Sequence, residues 1–203
     1  MSFYMGVKKA LGGFLRTCFY RCKIEGEENI PESGRLLVCS NHISLHDPIV
    51  IAAISKRQIC YMGKKELFKV PLFGSFLKSL GAFPVDRKSG GDVGAIRHSI
   101  KLLEKELAVG IFPQGTRHSG KHPKGTPIHK GAGMLVDRTN TTVLPVAVIS
   151  KNFKITPFFG KVTIRFGKPI SADELREGTE GLSGSDKYNR ISENIFDHIL
   201  ELL

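Results

Sequence analysis

Two periods of apolar and polar positions alternate along the 203 residues of this chain. Short apolar runs predict strands at Leu36 to Ser40, Ile59 to Met62, Phe83 to Val85, Val109 to Phe112, Val143 to Ile149 and Val162 to Phe166. Amphipathic stretches predict helices at Pro48 to Ser55, Leu72 to Ser79, Val93 to Leu107, Lys130 to Asp137 and Ser185 to Leu203. This alternation predicts an α/β fold in a single domain, with a mostly parallel twisted sheet flanked by helices. The length suits one domain with a real core and is too short for two comfortable ones. In the last helix Ile191, Ile195, Ile199 and Leu202 keep one apolar stripe, which reads as core packing. The stretch Glu177 to Asp186, rich in Gly, Ser and Glu, reads as an exposed loop before it.

The N-terminus has a different pattern. Phe3, Tyr4, Val7, Leu11, Phe14, Leu15, Cys18 and Cys22 recur at helical spacing within an arc of about 120°. Lys9, Arg16 and Lys23 lie off that arc. The pattern predicts an amphipathic helix over residues 1–22, leaving 23–203 as the main domain. Such a helix suits a bilayer surface, and packing on the protein's own core is the alternative. No segment reaches the roughly 18 apolar residues of a membrane span, so the chain is expected to sit on a membrane and not to cross it.

Charge narrows the class of partner. Thirty Lys and Arg against 19 Asp and Glu leave a net charge of +11. Such a surface attracts nucleic acid, anionic lipid or an acidic protein. The basic residues are dispersed and match no recognised nucleic-acid module, so nucleic acid is not the expected partner. Cys18, Cys22, Cys39 and Cys60 fit neither a disulfide framework nor a zinc knuckle.

In an open parallel sheet, ligands gather at the carboxyl ends of strands. Three polar clusters fall there: Asn41 to Asp47, Asp86 to Lys88 and Gln114 to Arg117. In the first, His42 ends a strand and Asp47 precedes Pro48, a residue favoured at the start of a helix. If the loop folds back, the Asp47 carboxylate accepts from one ring nitrogen of His42 and leaves the other as a base. The plainer alternative makes Asp47 a helix cap and His42 a loop residue. His46 is a rival base, though it adjoins Asp47 directly. No serine stands on a glycine-flanked sharp turn, and Cys39 is expected to face the core. His42 is therefore expected to deprotonate a hydroxyl of the substrate.

The other clusters suit a phosphate. Gly115 lets the backbone come close to a ligand, Thr116 offers a hydroxyl and Arg117 a two-pronged donor. Arg87 follows the strand at Phe83 to Val85, and Lys64 and Lys65 follow the strand at Tyr61. For each cation, a solvated surface position is the alternative. Gly115, Gly120 and Lys121 have P-loop spacing, but His122 and Pro123 stand where a magnesium-binding hydroxyl should open a helix. Gly120 and Pro123 likewise keep His118 and His122 off one helix face, so no metal is expected.

Taken together, the clusters resemble a known family. Asn41-His42, four residues and Asp47 resemble the first motif of the glycerolipid acyltransferases. Gly81 to Arg87 resembles the second, Phe112 to Arg117 the third, and Val143-Leu144-Pro145-Val146 the fourth, in the family's order. The resemblance implies that His42 is the base and Asp47 its partner. It also implies that Arg87 and Arg117, with Lys64 or its neighbour, hold a substrate phosphate. The implied reaction moves a fatty acyl group from an acyl carrier protein or coenzyme A thioester to the 2-hydroxyl of 1-acylglycerol 3-phosphate (lysophosphatidate), with no bound cofactor. Other acceptors, or a non-catalytic module that binds anionic lipid, are the rival expectations. The implied location is the cytoplasmic face of the cell membrane, on an anionic surface. Gln114 departs from the family's usual Glu, which removes a charge and keeps hydrogen-bonding capacity. Asn41, Gln114 and Pro145 are expected to support the site.

Overall fold

A computed structural model describes residues 21–85, 93–154 and 160–203 and contains one seven-stranded sheet, ordered β1-β7-β6-β2-β5-β3-β4. The strands are β1 (Arg21–Glu25), β2 (Leu36–Ser40), β3 (Ile59–Lys64), β4 (Phe83–Val85), β5 (Ala108–Ile111), β6 (Thr142–Ser150) and β7 (Lys161–Phe166). The helices are α1 (Asp47–Ile54), α2 (Phe73–Ser79), α3 (Val93–Glu104), α4 (Gly131–Thr139), α5 (Ala172–Leu175) and α6 (Gly184–Glu201). Strands β2 to β6 run parallel, β7 pairs antiparallel with β6, and β1 pairs parallel with β7. The sheet is thus mostly parallel, as expected, with one reversed pair at its edge.

The order of strands decides which helix covers which face. The β2-α1-β3 and β3-α2-β4 steps cross the sheet in one direction, and the steps through α3 and α4 cross it in the other. Parallel crossovers are right-handed, so α1 and α2 cover one face and α3 and α4 the opposite one. Alternate residues feed the two layers. On the first face Val38, Leu144 and Ile164 share one core cluster with Val50, Ile51 and Ile54 of α1. On the second, Leu37, Val109 and Val143 lie under Leu135 and Val136 of α4 and Ile191, Ile195 and Ile199 of α6. All five residues of β2 are buried, which is why it reads as an unbroken apolar run. The expected core role of the α6 stripe holds for these three isoleucines.

Two expectations need correction or placement. The predicted N-terminal helix included Arg21 and Cys22, but both belong to β1, in register with Lys161 and Val162. Arg21, Lys23 and Glu25 alternate with Cys22 and Ile24, and the two apolar residues pack on the core. That period of two marks a strand. The rest of the predicted helix, residues 1–20, lies outside the described residues. Pro145 is buried in the middle of β6. The β6–β7 ladder ends at Val146–Phe166, Gly167 N donates to Pro145 O, and pairing resumes only at Val143–Ile170. Proline is accommodated at this irregularity because no regular rung there needs its missing N–H.

Candidate active site

The loop after β2 is held by one carboxylate. Asp47 Oδ2 lies 2.7 Å from His42 Nδ1 and accepts from the backbone N–H of Ile43 and of Ser44, each at 2.8 Å. The helix-cap alternative therefore fails. The cap position belongs to His46, Asp47 is the first residue of α1, and its carboxylate turns back into the loop. Because Oδ2 already accepts two amides, it serves as an acceptor, so the proton between it and the ring sits on Nδ1. In the neutral ring Nε2 then carries the lone pair. His42 keeps 12% of its side chain exposed while Asp47 keeps none. The rival His46 places its Nδ1 3.3 Å from Ser44 Oγ.

A stacked ring sets the plane of the imidazole. Phe112, which follows β5, lies parallel beneath His42 with centroids 4.0 Å apart and planes 16° apart. Tyr61 of β3 continues the stack, 5.7 Å from Phe112. The column runs across β2, β5 and β3, which are neighbours in that order.

The third cluster braces the same loop. Gln114 Oε1 accepts from His42 N at 2.7 Å, and Gln114 Nε2 donates to Thr126 Oγ1 at 2.7 Å. Thr126 Oγ1 donates onward to Pro123 O at 2.6 Å. His118 N donates to His42 O at 2.8 Å. Gly115 turns the chain with φ 67°, and a Cβ there would come within 2.7 Å of the His129 ring. Gln114 is thus a buried strut between two loops. Asn41 is a second strut. Its side-chain amide donates to Val148 O at 2.9 Å and accepts from Val148 N at 2.7 Å, like one more rung of the β2–β6 ladder.

Two of the expected cations, Arg117 and Lys64, sit at the same end of the sheet as this centre. Arg117 and Thr116 are exposed on the turn, with Thr116 Oγ1 3.3 Å from His118 Nε2. Lys64 is exposed at the end of β3, opposite Val85 in register, about two strand spacings or 10 Å from β2. Arg87, two residues past Val85, lies outside the described residues. Segment 112–131 has no Asp or Glu while holding Arg117, Lys121, Lys124 and Lys130, so this end of the sheet is strongly basic. Cys39 is fully buried on the second face, and burial pushes its thiol far above the ordinary range. It offers no nucleophile beside His42. Phe112 was noted in the sequence only as part of a run, and Thr126 and Val148 carried no signal there. Their contacts cross 70, 12 and 107 residues.

Comparisons with known proteins agree on one class. Residues 21–149 match the family described as Acyltransferase. The chain is 35% identical over 182 residues to the 1-acyl-sn-glycerol-3-phosphate acyltransferase of Bacillus subtilis, covering 89% of this chain and 87% of that protein. It is 30% identical to the protein of that name from Helicobacter pylori, over 79% of this chain and 64% of that one. The Streptococcus pneumoniae protein of that name is 28% identical, over 82% and 64%. Against the last two, the chain spans less than two thirds of the relative's length. Its fold is shared with the crystal structure of the 1-acyl-sn-glycerophosphate acyltransferase of Thermotoga maritima. That match has a TM-score of 0.71 at 24% identity, over 98% of this chain and 78% of that one.

Proposed function

This chain belongs to the acyltransferase family, and from that premise we propose that it acylates the 2-hydroxyl of 1-acylglycerol 3-phosphate, giving phosphatidate and a free thiol. The acyl donor is a thioester of acyl carrier protein or coenzyme A. The observation that carries the reading is the 2.7 Å contact of His42 Nδ1 with a carboxylate that two backbone amides hold in place.

In this reading His42 Nε2 takes the proton of the 2-hydroxyl as its oxygen attacks the thioester carbonyl. Asp47 fixes the ring's tautomer and stabilises the imidazolium that forms. Collapse of the tetrahedral intermediate expels the thiolate, which takes the proton back from His42. No covalent enzyme intermediate is needed, which suits a site whose nearby cysteine is buried in the opposite layer. Arg117, Thr116 and the Gly115 turn, with Lys64 and Arg87, bind the phosphate of the acceptor.

The chain works at the cytoplasmic face of a membrane, seated by its first twenty residues on anionic lipid. Among the described residues no helix is long and apolar enough to cross a membrane. Strand β1 is antiparallel to the central strands, so Arg21 lies at the same edge as His42. The described chain therefore begins at the rim that carries His42.

Thiol release from acyl carrier protein and coenzyme A thioesters, with and without lysophosphatidate, tests this function. Release that depends on lysophosphatidate is expected, and His42→Ala should cut it by about 10²- to 10⁴-fold in a folded protein. Full turnover by that variant removes the mechanism, and release only with another acceptor removes the substrate.

A further inference from the structure

Five of the eight large apolar side chains left exposed among the described residues lie at one rim: Leu45, Ile49, Val70, Leu72 and Phe73. Both segments follow carboxyl ends of parallel strands, β2 and β3, on the face that α1 and α2 cover. The stack of Tyr61, Phe112 and His42 belongs to that edge as well.

Leu72 is the extreme case. It is 88% exposed, and its φ is 62°, a region that bulky side chains avoid. Phe73 N donates to Pro71 O at 2.6 Å, which closes a three-residue turn with Leu72 at its tip. Such a turn with positive φ is rare and strained. The turn is nevertheless tightly built. Gly74 N donates to Val70 O at 2.8 Å, and a Cβ at Gly74 would lie 2.2 Å from Phe68 O. Folding gains nothing from straining a leucine in order to hold it in water. Exposed Lys64, Lys65 and Lys69 lead into the turn, against the single acid Glu66.

We propose that the Val70–Phe73 turn is a membrane wedge that inserts Leu72 into the acyl layer of an anionic bilayer beside the catalytic mouth. The inference rests on the membrane reading given above and adds a contact that the first twenty residues do not supply. A projecting apolar tip below a collar of lysines suits a bilayer, where the tip meets acyl chains and the ammonium groups meet phosphates. An acidic carrier protein would meet the same lysines, but a projecting tip needs a matching pocket on such a partner. The bilayer needs none.

The chain has no tryptophan, so a single introduced one reports its own surroundings. Leu72→Trp is compared with Leu107→Trp, which lies at the opposite rim just before β5. With vesicles of phosphatidylglycerol and phosphatidylcholine, Leu72→Trp emission should move to shorter wavelength and be quenched by brominated acyl chains. Leu107→Trp should do neither. Leu72→Asp should lower partitioning onto the vesicles by about ten- to a hundredfold. An unshifted Leu72→Trp in protein that sediments with the vesicles overturns the wedge and leaves the membrane reading standing. Failure to sediment at all overturns both. Emission already at short wavelength without lipid means that the chain itself covers Leu72. A shift with acidic carrier protein and none with vesicles makes the turn a protein-docking element. Either result overturns the proposal.

Discussion

Asp47 Oδ2 receives three donors, and its two simplest replacements separate chemistry from folding. Asp47→Asn keeps an acceptor for the amides of Ile43 and Ser44 and loses the charge that, in the proposed mechanism, stabilises the imidazolium. It should fold normally, by circular dichroism and urea titration, and lose about 10²- to 10⁴-fold in turnover. Asp47→Ala leaves buried amides unpaired, and urea titration should show a further loss of about 1–3 kcal/mol for each. Equal turnover in the wild type and Asp47→Asn would leave the carboxylate a purely structural role. Gln114 allows the opposite comparison. Its Oε1 holds His42 N while its Nε2 holds Thr126, whose own proton goes to Pro123 O. A glutamate keeps the first contact and accepts the second once the Thr126 hydroxyl turns round. Gln114→Glu should therefore keep kcat/KM within a few-fold, whereas Gln114→Leu should lose activity and stability together. A large loss in Gln114→Glu would show that the amide does more than brace the loop.

Between elements, α4 and α6 approach closely at Gly133. A Cβ at Gly133 would lie 2.0 Å from Tyr188 O, and Gly133 N donates to Ser192 Oγ at 2.8 Å. Alanine favours a helix interior, so propensity alone makes Gly133→Ala stabilising. Packing decides the other way, because backbone is the obstacle and the helices must separate. Thermal melting should show a net loss of about 1–3 kcal/mol, and an unchanged midpoint would mean that α6 shifts freely. Strand β2 illustrates the same dependence on neighbours. Its end is extended by Asn41 onto Val148, so the loop carrying His42 leaves the sheet from a fixed point.

Charge is distributed unevenly over the whole molecule. The carboxyl-end rim gathers cations, while Glu27, Glu28, Glu32, Glu104 and Glu106 lie at or near the other rim. The +11 excess thus becomes a basic edge at the rim that carries His42, in keeping with the proposed seat on anionic lipid. A separate network closes the second face. Asp137 of α4 lies 2.7 Å from Lys187 Nζ of α6 and 3.4 Å from Arg176 Nε, just past α5. Burial pulls the Asp137 carboxyl up, but the hydrogen bond and charge of Lys187, and then those of Arg176, outweigh it and hold it below its ordinary 3.8. A depressed value means that its stabilisation is fully present above 3.8 and is lost as pH falls below that through the folded value. The melting difference between wild type and Asp137→Asn should be present near neutrality and vanish in strong acid. A difference that persists in acid would point to packing in place of charge.

Period and punctuation were enough to locate β2 to β7, α1, α3, α4 and α6, because each buries residues of its own in the core, and α2 was located by its pattern although none of its described side chains joins a core cluster. Strand β1 escaped because Cys22 was absorbed into a longer helical pattern and Ile24 was left alone beyond it, and only pairing with β7 reveals their period. The spacing of His42 and Asp47 was legible because a short loop is closed by local contacts. Whether the carboxylate would cap α1 or turn back to the ring was not, since the same residues permit both. Tertiary packing decided it, through Phe112 beneath the imidazole and Gln114 and Asn41 on either side. The side chains along the chain determined which residues bury themselves, which end a strand and which carry charge. Strand order and crossover hand decided which of them meet, because those contacts join segments that local preference does not connect.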